Sequence, residues 1–374
     1  MRQLGITRIA DVTGLDRIGI PVYAAIRPNA RSLAVSQGKG IDHDAARTSA
    51  LMESIEHWHA EHIHKPTRHA PLYVLGDLAM PISNLHGLSP AFSEAMAIDW
   101  IEGFDLLNQR PAWAPLEAVS IDLRRSSEPG ATGMIGGNGL ASGNHLLEAT
   151  IHALCEVIER DATTLWFLNT KEDDQETRID LETLDDPGLV SLVELIDDAG
   201  LLVGLYDQTS DLGIPAFGCI VSDAADAVSP MGYFWGFGCH LSPSVAASRA
   251  ITEAVQCRLT EIAGSRDDVE RAAYALNRSQ EELEEIESSL RDTTTARPFR
   301  YEDLSTDTFE GDLALLCKRL VNCGFESAVA IDLSRPELGV AVVHVLVPGL
   351  EGCFSGTNYR PGPRGRRVAG EKLR

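Results

Sequence analysis

Three stretches of the chain share one pattern: residues 50–56 (ALMESIE), 153–159 (ALCEVIE) and 250–256 (AITEAVQ). Each reads Ala, aliphatic, variable, Glu, variable, aliphatic, and then Glu or Gln. Residues three apart lie on one face of a helix, so each copy predicts a helix that presents two carboxyl or amide groups from one side. Because carboxylates repel one another, helices that bring such faces together need a cation between them.

The three copies also predict how the domain is organised. They lie about a hundred residues apart, which is far longer than the repeat of a solenoid. Strand-like and helix-like segments alternate between them, with helices expected at residues 45–63, 145–167 and 243–263 and Asp44 as the cap of the first. We therefore expect a mixed α/β fold of three related units around one centre. Residues 1–354 would form a single catalytic domain with a charged helical arm at 265–300, and 355–374 a Gly-, Pro- and Arg-rich tail.

Composition excludes several classes of protein. With 44% hydrophobic and 23% charged residues the 374-residue chain can form a packed core, and its net charge of −23 argues against a nucleic-acid partner. No apolar run is long enough to span a bilayer, and nothing resembles a signal peptide. The seven cysteines are scattered without a Cys-x-x-Cys pair, which is typical of reduced thiols. We expect a cytoplasmic protein that does not contact a membrane.

Helical geometry selects the candidate site residues. At 100° per residue, each predicted helix carries a polar group of three on one face. The groups are Ser49, Glu53 and Glu56; Glu148, Glu156 and Glu159; and Arg249, Glu253 and Gln256, with Arg258 on the face opposite Gln256. A magnesium ion held by carboxylates and phosphate oxygens is the natural use of such groups. The alternative for any single pair is an exposed amphipathic helix face.

Two glycine-containing loops precede these helices, at residues 36–40 (SQGKG) and 142–144 (SGN). Backbone amides at a helix N-terminus, with a lysine nearby, suit a phosphate group. The spacing is not that of a Walker A loop, and a plain turn is the alternative. The histidine-rich segment 57–64 lacks the His-Glu-x-x-His order of a zinc protease, and we expect Cys257 to pack in the core.

Taken together, these motifs resemble the YcaO family. The matching strings occur in family order and cover Pro21 to about Asp268, and residues 27–40 look closest to the branch that accompanies TfuA proteins. The strings are residues 36–40 (SQGKG), Ser49-x-x-x-Glu53-x-x-Glu56, Ser142-Gly143-Asn144-x-x-x-Glu148, Glu156-x-x-Glu159-Arg160 and Glu253-x-x-Gln256.

The resemblance implies an enzyme that uses ATP and Mg²⁺ to phosphorylate the oxygen of a peptide backbone amide. It implies that Glu53, Glu156 and Glu159 are catalytic, and that these three, together with Glu56 and Glu148, hold the metal. The residues implied to bind the nucleotide are Ser36, Lys39, Ser49, Glu53, Glu56, Ser142, Asn144, Glu148, Glu156, Glu159, Arg160, Arg249, Glu253, Gln256 and Arg258.

The TfuA-associated branch implies a thioamide product, a sulfide donor, a TfuA-like partner and a peptide or protein substrate. Azoline formation on Cys, Ser or Thr and a non-catalytic nucleotide-binding role are the alternatives, and a homodimer stays open. Two departures matter: Thr260 stands where some relatives carry arginine, which leaves Arg249 or Arg258 to replace it, with geometry favouring Arg249. The C-terminal segment has only Pro361-Gly362-Pro363 where azoline-forming relatives have a Pro-rich end, which favours the thioamide.

Overall fold

The fold is mixed α/β, as predicted. The computed structural model describes residues 2–85, 87–89, 91–125, 136–169, 175–266, 279–352 and 359–372. In these ranges the helices are α1 His43–Glu61, α2 Leu72–Leu75, α3 Leu146–Asn169, α4 Pro187–Asp198, α5 Pro243–Ala263, α6 Gln280–Arg291, α7 Phe309–Asn322 and α8 Pro363–Lys372. The strands are β1 Arg8–Asp11, β2 Val22–Ile26, β3 Val35–Lys39, β4 Thr67–Pro71, β5 Ala97–Asp105, β6 Arg110–Pro115, β7 Leu140–Gly143, β8 Ile179–Asp180, β9 Leu202–Asp207, β10 Ala216–Ser222, β11 Tyr233–Cys239, β12 Arg297–Pro298, β13 Val329–Asp332 and β14 Ala341–Leu346.

Each glutamate-bearing helix directly follows a strand and packs back on the sheet of that strand. Strand β3 ends an antiparallel sheet of order β1-β2-β3 and leads into α1. Strand β7 ends a six-stranded sheet, β4-β5-β13-β14-β7 with β6 on β5, and leads into α3. Strand β11 ends the antiparallel sheet β11-β10-β9 and leads into α5. The three expected units are therefore three strand–helix pairs, each at the edge of its own sheet.

Glycines let each of these helices approach its strand closely. A Cβ atom added to Gly38 of β3 would lie 1.9 Å from the backbone nitrogen of Ala50 on α1. One added to Gly238 of β11 would lie 2.1 Å from the carbonyl oxygen of Ala246 on α5. Strand β3 thus contains residues 37–39, which were expected to form a loop, and the glycines of the motif serve packing between backbone and backbone.

The helix ends follow local chemistry. The side chain of Asp42, not Asp44, caps α1 by accepting a hydrogen bond from the backbone N–H of Ala45 at 2.8 Å. The predicted Asp44 cap is therefore wrong by two residues, because Asp44 already lies in the first turn. Helix α5 begins at Pro243 and ends at Ala263, as expected, and the next residue, Gly264, has a φ of 54°, a left-handed conformation that glycine adopts readily.

Helix α3 is the central element of the fold. Along its length Ala149, Ala153, Leu154 and Ile158 are fully buried, against β7, β14 and α7. A helix enclosed in this way can hold polar side chains only where a cavity or an ion pair receives them. The position of α3 therefore fixes where its glutamates can reach water or a ligand.

The C-terminal segment also packs on α3. Helix α8 carries Arg364, which is 8% exposed and donates hydrogen bonds to Asp161 of α3 and to Asp211. The carboxylate of Glu351 accepts hydrogen bonds from the Tyr359 hydroxyl at 2.6 Å and from two backbone amides of the segment. The segment expected to be a tail thus contains a helix anchored by a buried ion pair to Asp161 and by a second pair to the half-exposed Asp211.

The charged arm contains α6, and its residues 267–278 lie outside the described residues. No helix in the described ranges is long and apolar enough to cross a membrane.

Candidate active site

The three glutamate-bearing helices surround one cavity of about 690 Å³. Every residue predicted for the site lines this cavity except Ser36 and Arg258. The predicted residues that line it are Lys39, Ser49, Glu53, Glu56, Ser142, Asn144, Glu148, Glu156, Glu159, Arg160, Arg249, Glu253 and Gln256. The structure therefore brings together side chains separated by more than two hundred residues in the sequence.

Polar contacts between the units hold the carboxylates in place. The hydroxyl of Ser142, in β7, donates a hydrogen bond of 2.5 Å to Glu56 of α1 and so joins the second unit to the first. The ammonium group of Lys39, in β3, is paired with Glu253 of α5 and joins the first unit to the third. Within one unit, the backbone N–H of Gln37 donates to Glu53 at 3.2 Å. The cavity is thus the place where the three units are connected.

Burial makes the carboxylates of the cavity hard to ionise. It raises the pKa of Glu53 and of Glu156 to about 7, and that of Glu56 to about 8, against an ordinary value of 4.5. The pKa of Glu159 is also raised by burial. Burial acts in the same direction on Glu253, but Lys39 and Arg160 outweigh it and lower the pKa of that group. The cavity therefore contains more acidic groups than its own cations neutralise.

This charge balance fits a bound divalent cation. No three His, Cys, Asp or Glu side chains of the described residues already form a ready-made metal site. Magnesium usually takes only one or two carboxylates and completes its shell with water and substrate phosphates. Glutamates of α1 and α3 could therefore hold Mg²⁺ jointly with a phosphate ligand. The ligand set Glu53, Glu56, Glu148, Glu156 and Glu159 stays a prediction.

Arg249 and Arg258 have different environments. The Nε atom of Arg249, a cavity-lining residue, is buried without a hydrogen-bond partner in the described part of the chain. Burial acts to lower the pKa of Arg249, but Glu159 and Glu253 outweigh it and raise that pKa. Arg249 is thus a charged group that faces the cavity, which is where helical geometry placed it.

The prediction that Arg258 contacts the nucleotide is wrong. Arg258 is 1% exposed, and it donates hydrogen bonds of 2.8 Å to Asp16 and to Asp223. It lies on the far face of α5, where a buried guanidinium needs carboxylate partners. Ser36 also does not line the cavity, because it is 2% exposed and its hydroxyl lies 3.4 Å from Nδ1 of His57.

Sequence reasoning missed several residues that line the cavity: Gln37, Thr48, Met52, His57, His152, Thr260 and Arg266. His152 had a detectable signal, since it lies four residues from both Glu148 and Glu156 on the same face of α3. Burial lowers the pKa of His57 and of His152 to about 4, so both imidazoles are neutral near pH 7. The hydroxyl of Thr260, at the position expected for an arginine, bonds instead to Gln37 and to the carbonyl of Gln256.

Cys257 was expected to pack in the core, and that prediction is wrong. Its side chain is exposed to the cavity. Desolvation by the surrounding protein raises the pKa of the thiol to about 12, with Glu253 acting in the same direction. Cys257 is therefore a protonated thiol at neutral pH, which is a poor nucleophile.

The two arginines give a matched pair of tests. Arg249→Gln should weaken the binding of a magnesium–nucleotide about ten- to a hundredfold, because it removes a charge-assisted contact. Arg258→Gln should instead lower the melting temperature, because it removes the buried cation that bonds to both Asp16 and Asp223 and leaves Asp223 paired with Arg17 alone. Calorimetric titration with Mg–AMPPNP, and thermal unfolding of both variants, measure these effects. Equal losses of nucleotide affinity in the two variants would contradict this assignment.

The raised pKa values predict proton release on binding. Near pH 7 the unliganded cavity holds protons on Glu53, Glu56 and Glu156 that a cation would displace, so affinity for Mg–AMPPNP should rise from pH 6 to about 8. Without a ligand, these carboxyl groups bind more protons in the folded state than in the unfolded state, because their pKa values are higher in the folded state. Their stabilising contribution to the free energy of unfolding is therefore lost as the pH rises from 4.5 through about 8.

Calorimetry in two buffers of different ionisation enthalpy counts the released protons. Glu56→Gln keeps the acceptor for Ser142 and should release fewer protons, while Glu302→Gln, an exposed site outside the cavity lining, should match the wild type. Binding without proton release at pH 7 would show that the carboxylates are already ionised.

Comparison with known proteins identifies the family of this chain. A family model described as "YcaO cyclodehydratase, ATP-ad Mg2+-binding" matches residues 37–351. The chain is 37% identical over 377 residues to an uncharacterized protein in the tfuA 3′ region of Rhizobium leguminosarum bv. trifolii, covering 97% of this chain and 88% of that protein. It is 36% identical to an uncharacterized protein of Methanothermobacter thermautotrophicus, covering 97% of this chain and 94% of that protein.

Solved structures show the same fold. A heterocyclase in complex with substrate and cofactor matches 93% of this chain with a TM-score of 0.77 and 25% identity, and the chain spans about half of that protein, 50% of its length. YcaO from Methanopyrus kandleri, bound with AMPPCP and Mg²⁺, matches 96% of this chain and 92% of its own with a TM-score of 0.71 and 21% identity. The relative in the tfuA 3′ region supports the predicted TfuA-associated branch. The chain belongs to the YcaO family and has the fold of the ATP-dependent, magnesium-binding cyclodehydratases of that family.

Proposed function

We propose that this protein uses Mg–ATP to activate a backbone amide of a peptide or protein and converts it to a thioamide. The observation that carries the proposal is that acidic side chains of three helices line one cavity together with lysine and arginine side chains. Phosphoryl transfer needs mainly positioning and neutralisation of charge, which is what such a cavity supplies. A protein that only scaffolds another enzyme has no need to keep a buried acidic cavity.

The residues of the cavity have complementary tasks in this proposal. Glu53, Glu56, Glu148, Glu156 and Glu159 would hold Mg²⁺, which supplies charge neutralisation at the transferring phosphoryl group. Lys39, Arg160 and Arg249 line the same cavity and would contact phosphate oxygens. The neutral imidazoles of His57 and His152 can donate or accept one hydrogen bond per ring nitrogen without adding charge.

The proposed reaction balances without an oxidant. A sulfide donor adds to the amide carbon, and the amide oxygen takes the γ-phosphoryl group of ATP. The carbon–oxygen bond then breaks, phosphate leaves with the former amide oxygen, and a proton is lost as the carbon–sulfur double bond forms. The products are a thioamide, ADP and phosphate.

The tfuA-region relative favours the thioamide over an azoline. The alternative is a cyclodehydratase, in which a Cys, Ser or Thr side chain of the peptide adds to the amide carbon. The heterocyclase whose structure resembles this chain supports that alternative as a second candidate. A TfuA-like partner that recognises the peptide or delivers sulfide is part of the proposal, and a homodimer stays untested.

Mass spectrometry separates the two products. The full chain, a TfuA-like partner, Mg–ATP and sulfide would be incubated with a candidate peptide labelled with ¹⁸O at its amide carbonyls. We expect a product in which sulfur replaces oxygen, together with phosphate that carries ¹⁸O. Loss of one water with labelled phosphate would instead indicate an azoline, and unlabelled phosphate would contradict activation of the amide oxygen.

Single substitutions test the acidic set. Glu156→Gln and Glu159→Gln should reduce release of phosphate from ATP by at least about a hundredfold while the fold is retained, because each removes charge from the phosphoryl-transfer site. Glu194→Gln, on an exposed position of α4 outside the cavity lining, is the matched control. Turnover equal to that of the control would remove Glu156 and Glu159 from the site.

A further inference from the structure

An aromatic cluster lies where the C-terminal part of α3 meets strand β11. We call Trp166, Phe167, Trp235 and Phe237 the aromatic patch. Its ring centroids are 5.7 Å apart for Trp166 and Trp235, 6.1 Å for Phe167 and Phe237, and 6.2 Å for the stacked pair Trp235 and Phe237. All four side chains are only partly buried. Aromatic residues make up only 6% of this chain, so four of them in one partly exposed cluster stand out from the rest of its surface.

Helix α3 places the patch in line with the cavity. Phe167 follows Glu156 by eleven residues and Arg160 by seven. At 100° per residue both separations return to the same face within about 20°. At 1.5 Å per residue, Phe167 lies about 10 Å beyond Arg160 and about 16 Å beyond Glu156 along the helix. One face of α3 thus presents the acidic groups of the cavity and then the patch.

Strand β11 reaches the same place from the third unit. Trp235 and Phe237 alternate with Gly236, and a Cβ atom added to Gly236 would lie 2.6 Å from the carbonyl carbon of Glu253 on α5. The strand therefore runs directly beneath the part of α5 that lines the cavity. In the described ranges β11 is an edge strand that pairs with β10. Because successive residues of a strand point to opposite faces, Trp235 and Phe237 lie on the face of β11 away from α5, where they contact Trp166 and Phe167 of α3.

We propose that the aromatic patch binds an apolar, preferably aromatic, side chain of the peptide substrate. The inference rests on the proposed function, because an amide that reaches the cavity must bring its flanking residues with it. An extended peptide advances about 3.3 Å per residue, so 10–16 Å corresponds to about three to five residues. The substrate class is therefore a peptide with an apolar residue three to five positions from the modified amide.

Binding tests the patch without requiring turnover. The probes are two synthetic decapeptides of glycine and serine, identical except that one carries a single phenylalanine where the other carries serine. Titrated into the full chain with Mg–AMPPNP, the phenylalanine peptide should bind about tenfold more tightly, because one ring is buried between others. Phe237→Leu and, independently, Trp235→Leu should abolish this preference. Tyr73→Leu, at an exposed aromatic residue of α2 outside the patch, should keep it.

Each outcome has a separate meaning. Thermal protection of the variants by Mg–AMPPNP shows that their fold and nucleotide site are intact. Equal binding of the two peptides to the wild type, or an undiminished preference in both patch variants, would overturn the inference. With Mg–ATP and sulfide added, the modified amide should lie three to five residues from the phenylalanine, and another spacing would also overturn it. Preferred binding without any modification would contradict the proposed function and leave the patch as a peptide site.

Discussion

The main constraint on this structure is that three helices bring mutually repelling carboxylates into one cavity, so that this repulsion has to be offset. Removing an ionised carboxylate from water is costly, and gathering several multiplies the cost. The protein offsets part of it with Lys39 beside Glu253 and with Arg160 and Arg249 at the cavity wall. The remaining cost raises the pKa of Glu53 and Glu156 to about 7 and that of Glu56 to about 8, mainly through burial. A cation bound with its nucleotide would relieve this unfavourable charge, which couples binding to the stability of the domain.

The same constraint explains why the three units are joined at the cavity. Ser142 of the second unit bonds to Glu56 of the first, and Lys39 of the first pairs with Glu253 of the third. Glycines in the preceding strands bring each helix backbone close to its sheet. The buried ion pair between Arg364 and Asp161 fixes α3 from its other side. The packing that forms the core thus also positions the acidic groups.

Local patterns in the sequence predicted much of this arrangement. The spacing of three residues, repeated three times, predicts the three helices and six of the residues that line the cavity, because it encodes one helix face directly. The loop motifs and the family resemblance added others, among them Lys39, Ser142 and Asn144. His152 lies on the same face of α3 through a different spacing, four residues from both Glu148 and Glu156. The predictions that were wrong depend on partners far away in the sequence. Arg258 donates hydrogen bonds to Asp16 and Asp223, which lie 242 and 35 residues away. Likewise, the helix formed by Pro363–Lys372 has glycines that disfavour it locally, and Arg364 anchors it through residues far away in sequence.

The central claim is that the three helices form one site for a nucleotide and Mg²⁺ together. The most direct measurement is thermal unfolding of the full chain with ATP alone, with Mg²⁺ alone and with both. We predict that ATP and Mg²⁺ together raise the melting temperature by clearly more than the sum of their separate effects, because the carboxylates need the cation before they can accept phosphates. Equal protection by ATP with and without Mg²⁺, or no protection by the pair, would contradict it.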